Sequence, residues 1–142
     1  RDKKTVILAA RALALLGEKA GPQKLRELAG DGDIRIRSDA VLYLGEASDA
    51  DAKEVLLKRL EDESLTVRAY AMYGLGRIGD ASTVPVLNKA FDAANEYQEQ
   101  LAKRLKSGES EAMLRERYGY GYDVRQTLQE AVDTIGKRVG NK

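Results

Sequence analysis

Four times along this chain an alanine is followed four residues later by leucine or isoleucine and then glycine. The copies are Ala12 to Leu16-Gly17, Ala40 to Leu44-Gly45, Ala71 to Leu75-Gly76 and Ala131 to Ile135-Gly136. In the first three, a further apolar residue (Leu8, Ile36 or Val67) stands four positions before the alanine, giving the i, i+4, i+8 stripe of an amphipathic helix. The alanines admit a close neighbour. Gly17, Gly45 and Gly76 stand where each stripe stops, positions at which a residue free to take positive φ ends a helix. A second helix type lies between these: Leu25, Leu28 and Ala29 recur as Leu56, Arg59 and Leu60, and Val55, Leu56 and Leu60 recur as Val86, Leu87 and Phe91. The pattern predicts a two-helix unit of about 31 residues, repeated. Pro22, Ser48 or Asp49, and Ser82 with Pro85 supply helix starts. Each turn into an alanine helix carries an acid and an arginine six residues apart, Asp31 with Arg37 and Asp62 with Arg68, a duplicated pair that reads as a structural ladder.

The plan breaks after Phe91. The apolar stripe runs on through Ala94, Tyr97, Leu101 and Leu105, which predicts one helix from Thr83 to Lys106, about 36 Å long at 1.5 Å per residue. A short helix over Glu111 to Arg117 and the loop Tyr118-Gly-Tyr-Gly-Tyr122 then lead to the last helix. Residues 93–122 therefore read as a helical insertion into a single domain spanning 1–142. At the other end, residues 5–16 are apolar apart from Thr5 and Arg11, with no outer helix before them. A terminal repeat should turn a polar face outward. The expectation is a missing preceding repeat, or a face that docks onto another protein or a second copy. The chain begins with Arg1, as a processed protein or a piece of a longer one would; Arg11 interrupts the run from Lys3 to Gly17 that superficially resembles a leader.

Composition narrows the chemistry. The 142 residues contain no cysteine, histidine or tryptophan. That excludes thiolate nucleophiles, imidazole bases, Ser-His-Asp triads and zinc sites of the usual nitrogen and sulfur ligands. With 24 basic and 23 acidic side chains, the chain lacks the excess positive charge of a phosphate-backbone binder. No apolar run approaches the ~20 residues of a membrane span. The absence of cysteine suits a reducing cytoplasm and equally suits disulfide-free exported proteins.

Asp31 to Ile36-Arg37-x-x-Ala40-x-x-x-Leu44-Gly45 and Asp62 to Val67-Arg68-x-x-Ala71-x-x-x-Leu75-Gly76 resemble the HEAT repeat family, in particular its short bacterial and archaeal kind related to phycobilin lyase repeats. The resemblance covers residues 1 to about 92 well and 123–140 in part, where Thr127 replaces an apolar residue. It implies an all-α solenoid, an α-α superhelix of about 3.5 two-helix repeats, with leucine helices outside and Leu-Gly helices lining a concave face. It implies no single activity. The expected function is a noncatalytic scaffold without cofactor that binds a protein partner; the alternative is an accessory or lyase-like tetrapyrrole (bilin) binder. Iron-dependent hydroxylases built on such repeats need His-Glu ligands that this chain lacks.

Helical phase opposite the core stripe gives the concave residues: Thr66, Tyr70, Tyr73 and Arg77 on the third inner helix, and, by aligning glycines, Arg35, Asp39, Leu42 and Glu46, then Ile7, Arg11, Ala14 and Glu18, then Gln126, Glu130, Asp133 and Lys137. The mixed signs do not suit nucleic acid. Tyr70, Tyr73 and Arg77 are the candidate contact cluster, since tyrosine and arginine dominate interface hot spots. Tyr43 lies beside them in phase, and Tyr118, Tyr120 and Tyr122 form a candidate second contact. Packing between inner helices is the alternative role for Tyr70 and Tyr73. Gly74, Gly76 and Gly79 follow a helix and lack the ending of a phosphate loop; Asp31, Asp33, Asp49 and Asp51 lack a calcium-loop glutamate and suit helix capping.

Overall fold

The computed structural model describes residues 2–140, and among these every regular element is helical. The helices are α1 (Lys3–Leu15), α2 (Ala20–Leu28), α3 (Ile34–Glu46), α4 (Lys53–Arg59, preceded by a 3₁₀ turn at Ala50–Ala52), α5 (Leu65–Ile78), α6 (Thr83–Lys106), α7 (Glu111–Tyr118) and α8 (Val124–Gly140). They pack in pairs, α2 with α3, α4 with α5 and α6 with α8, and α2 packs still more extensively on α1. The second members stack side by side, α1 on α3, α3 on α5 and α5 on α8, so these four form the inner layer and α2, α4 and α6 the outer one. This is the α-solenoid. The α6 helix runs 24 residues without a break, through the point where the repeat would have turned.

The core lies between the layers. Ile36, Ala40, Leu44, Val67, Ala71 and Leu75 of the inner stripes are buried against Leu25, Ala29, Leu56, Leu60 and Leu87 of the outer helices. Turn chemistry fixes where inner helices begin. The Asp31 carboxylate accepts from the Asp33 N–H at 2.8 Å, and Asp33 then caps α3 by accepting from the Arg35 N–H at 2.9 Å. One unit later Asp62 accepts from the Ser64 N–H at 2.9 Å, and Ser64 caps α5. An acid two residues before a capping side chain thus forms each turn and starts each helix.

Two expectations fail. Of the repeated glycines only Gly17 takes positive φ; Gly45 and Gly76 lie inside α3 and α5. Their role is close approach: a Cβ on Gly45 would sit 2.8 Å from the Tyr73 ring, and one on Gly76 would sit 2.7 Å from the Ala131 Cα. The first helix also presents a different face from the one glycine alignment assigns. Leu8 and Leu16 are 48% and 76% exposed, whereas Ile7, placed on the concave stripe, is fully buried. The cause is Gly21, whose missing Cβ lets α2 approach the α1 backbone at Ala10 and Ala14 and draws that side inward. Nothing among the described residues covers the Leu8 side, where α3 and α5 have α2 and α4.

Candidate functional site

The acid and arginine pairs form a ladder whose rungs run between units. Arg37 donates to both oxygens of Asp62, at 2.7 and 3.1 Å, and its third bond goes to the Asp31 backbone carbonyl at 2.9 Å. Arg68 donates to the Asp62 backbone carbonyl at 2.6 Å. Within a unit, therefore, each arginine bonds a carbonyl, and the carboxylate is held by the preceding unit. Lys3 plays that part for Asp31, at 2.7 Å. The Lys3 ammonium and the Asp33 N–H hold the Asp31 carboxyl below its usual range.

The inner layer carries the aromatic candidates. Tyr70 and Tyr122 meet edge to face, with ring centroids 6.2 Å apart at 89°. With Tyr73, Leu42, Thr127 and Glu130 they line a depression of about 150 Å³ spanning α3, α5 and α8. Burial raises the Tyr70 hydroxyl above its ordinary pKa. Tyr73 is half-buried over Gly45, with the exposed Arg77 guanidinium 5.8 Å from its ring centroid; Arg77 also donates to the Ser48 hydroxyl at 3.0 Å.

The remaining tyrosines do not join this cluster. Tyr43 lies under the Arg11 guanidinium at 4.7 Å, and Arg11 forms a two-pronged pair with Glu46 at 2.8 and 3.0 Å that ties α1 to α3. The 118–122 loop splits. Gly119, in the left-handed region, packs where a Cβ would meet the Thr66 backbone at 2.7 Å, which anchors the loop to the start of α5. Tyr122 then reaches Tyr70, while Tyr118 lies between Arg104 and Arg117, at 4.7 and 5.3 Å, and Tyr120 beside Arg115 at 5.9 Å.

Two contributors escape sequence reasoning. Arg138 of α8 donates to the carbonyls of Gly76, Arg77 and Gly79, closing the end of α5. Tyr97 stacks on Arg68, with the guanidinium 4.3 Å from its centroid, and donates to the Glu63 carbonyl at 2.6 Å. Both act over long sequence separation, and only the α6 stripe position of Tyr97 gave any signal.

Among the described residues no group of acidic side chains is arranged to hold a metal ion, and no helix is long and apolar enough to cross a membrane. No curated protein matches the chain. The family model for HEAT repeats matches residues 1–69 and again 22–106. That covers well over half of the chain and includes both complete turns of the ladder, so the chain belongs to the HEAT repeat family.

Proposed function

We propose that this chain is a noncatalytic scaffold that binds a protein segment on the inner face of α3, α5 and α8. HEAT repeats generally serve as protein-interaction scaffolds. The observation that carries the reading for this chain is the convergence of Tyr70, Tyr73 and Tyr122, all partly open, around one depression on rigid helices. Aromatic anchors held by helices lose little freedom on binding and commonly carry most of an interface's affinity. Arg77 extends the surface beyond Tyr73. In this reading 1–142 is one domain, and the insertion at 93–122 contributes Tyr122; Tyr118 and Tyr120 support the loop, and Tyr43 supports the seam between α1 and α3.

The depression suits a side chain or two of a peptide. Sites for drug-sized molecules generally enclose ~300–1,000 Å³, and at about 150 Å³ this one favours a protein segment over a tetrapyrrole. The acids Asp39, Glu46 and Glu130 interleave with Arg11 and Arg77, which favours a protein over a nucleic acid. The test is affinity capture with the full chain, comparing wild type with Tyr73→Ala and Tyr122→Ala while recording thermal stability. Loss of a captured protein by both variants at unchanged stability supports the reading. Undiminished capture by both defeats it.

A further inference from the structure

The ladder is incomplete at its far end. Lys3 holds Asp31 and Arg37 holds Asp62, so the third basic residue, Arg68, calls for a carboxylate in the next unit. Asp62 stands 31 positions after Asp31, and the position 31 further on is Ala93. The reason is the continuity of α6: the chain passes through 93 as helix where the earlier units make an acidic turn. Arg68 consequently has no carboxylate partner among the described residues. Its Nε bonds the Asp62 carbonyl and its flat face stacks on Tyr97, but neither Nη donates to a protein group. Arg68 is partly exposed, and no wholly buried side-chain nitrogen among the described residues lacks a partner, so its Nη groups keep contact with solvent.

Arg68 lines a groove of about 390 Å³ between α4 and α6, reaching it from α5, the helix that also carries Tyr70 and Tyr73 of the aromatic depression. Leu57, Leu60, Val86, Ala90 and Ala93 form apolar walls around Arg68, with Glu61 and Lys89 of opposite sign at the rim. Val86 is 38% exposed although the repeat pattern makes it a core position. A guanidinium among the apolar residues that line a groove, one rung beyond a two-pronged Arg-Asp pair, is complementary to a carboxylate borne on an apolar body.

From this geometry we infer that the α4–α6 groove is a second binding site, which takes an acidic side chain of a partner polypeptide, Asp or Glu beside a leucine-sized residue, as the missing rung on Arg68. The partner's carboxylate takes the two Nη donors that remain once the Arg68 Nε is bonded to the Asp62 carbonyl, where Asp62 takes Nε and one Nη of Arg37, and the apolar neighbour of that carboxylate covers Leu57, Val86 and Ala90. Partial burial already depresses the Arg68 pKa from its ordinary value, and a carboxylate restores the balance of charge.

The probe is the peptide acetyl-Ala-Leu-Asp-Leu-Ala-amide, titrated into the full chain and followed by NMR at the arginine side-chain N–H groups and leucine methyls. The Asp peptide should shift the Arg68, Leu57 and Leu60 signals and bind at least tenfold tighter than its Asp-to-Asn counterpart. Arg68→Gln should abolish that preference. Ala93→Asp, which supplies the carboxylate from the chain itself, should weaken the Asp peptide at least tenfold, and this arm stands even if Arg68→Gln fails to fold. Equal binding of the Asp and Asn peptides overturns the proposal. So do shifts confined to residues outside the groove, or a response to inorganic phosphate with none to the peptide.

Discussion

Arg37 and Asp62, 25 residues apart, form a two-pronged pair in which the side chains are only 8% and 2% exposed. The carboxylate also accepts from Arg59 at 3.2 Å and from the Ser64 N–H, so one buried acid joins a repeat to its predecessor and shapes its own turn. Removing one partner of such a pair leaves the other charged and buried, which generally costs ~3–5 kcal/mol. Arg37→Ala should therefore lower the denaturation midpoint sharply. Arg11→Ala, whose pair with Glu46 lies at the surface and is screened by solvent, should lower it far less. Urea unfolding of both variants checks the contrast, and comparable losses would contradict it.

The repeated glycines should respond to alanine according to what surrounds each one. Gly45→Ala and Gly76→Ala should destabilise, since their new methyls meet the Tyr73 ring and the Ala131 backbone. Gly17→Ala should also destabilise, through its positive φ. Gly136, inside α8 where a methyl would meet nothing within 4 Å, should instead gain stability on substitution, by about 0.5–1 kcal/mol from helix propensity. Thermal midpoints of the four variants decide this.

Asp39 supplies a pH dependence. It lines the cleft between the first turns of α1 and α3, and burial raises its pKa, with Lys4 opposing the shift. An acid raised on folding binds more protons folded than unfolded, so its contribution to stability falls as pH rises from the unfolded value toward the folded one. Asp39→Asn should accordingly stabilise the chain at pH 7 and lose that advantage near pH 3.5, below the ordinary carboxylate value of ~3.9. An advantage that persists unchanged at pH 3.5 would refute the burial account.

The outer side of α1 should associate. Leu8, Leu13, Leu15 and Leu16 are all exposed on or just after α1, and exposed apolar residues gathered in this way mark association surfaces. Light scattering should show concentration-dependent self-association that Leu8→Glu with Leu16→Glu removes without loss of helical signal. A monomer at every concentration would remove this face as a self-docking surface.

Periodicity made most of the architecture legible. The Thr83–Lys106 helix follows from an uninterrupted stripe, and both inner stripes after the first are buried as their spacing requires. What escaped depends on neighbours. A glycine in sequence does not say whether it ends a helix, as near Gly17, or admits another one, as at Gly45 and Gly76. Periodicity does not give the buried face of α1, because α2 approaches the α1 backbone through Gly21. Of the seven tyrosine and arginine candidates, phase could group Tyr70, Tyr73 and Arg77 on one helix, but only the anchoring of Gly119 on α5 settles which loop tyrosine reaches them.

If the Tyr70, Tyr73 and Tyr122 surface receives a partner, Glu130 on its edge lies within reach of that partner and can be cross-linked to it. A photoreactive side chain at Glu130, in the full chain in its native cells, should give a discrete protein adduct that Tyr122→Ala removes at unchanged stability. The same group at Lys24, exposed on the outer helix α2, should not give it. Absence of any adduct from Glu130, or the same adduct from both positions, would contradict the account.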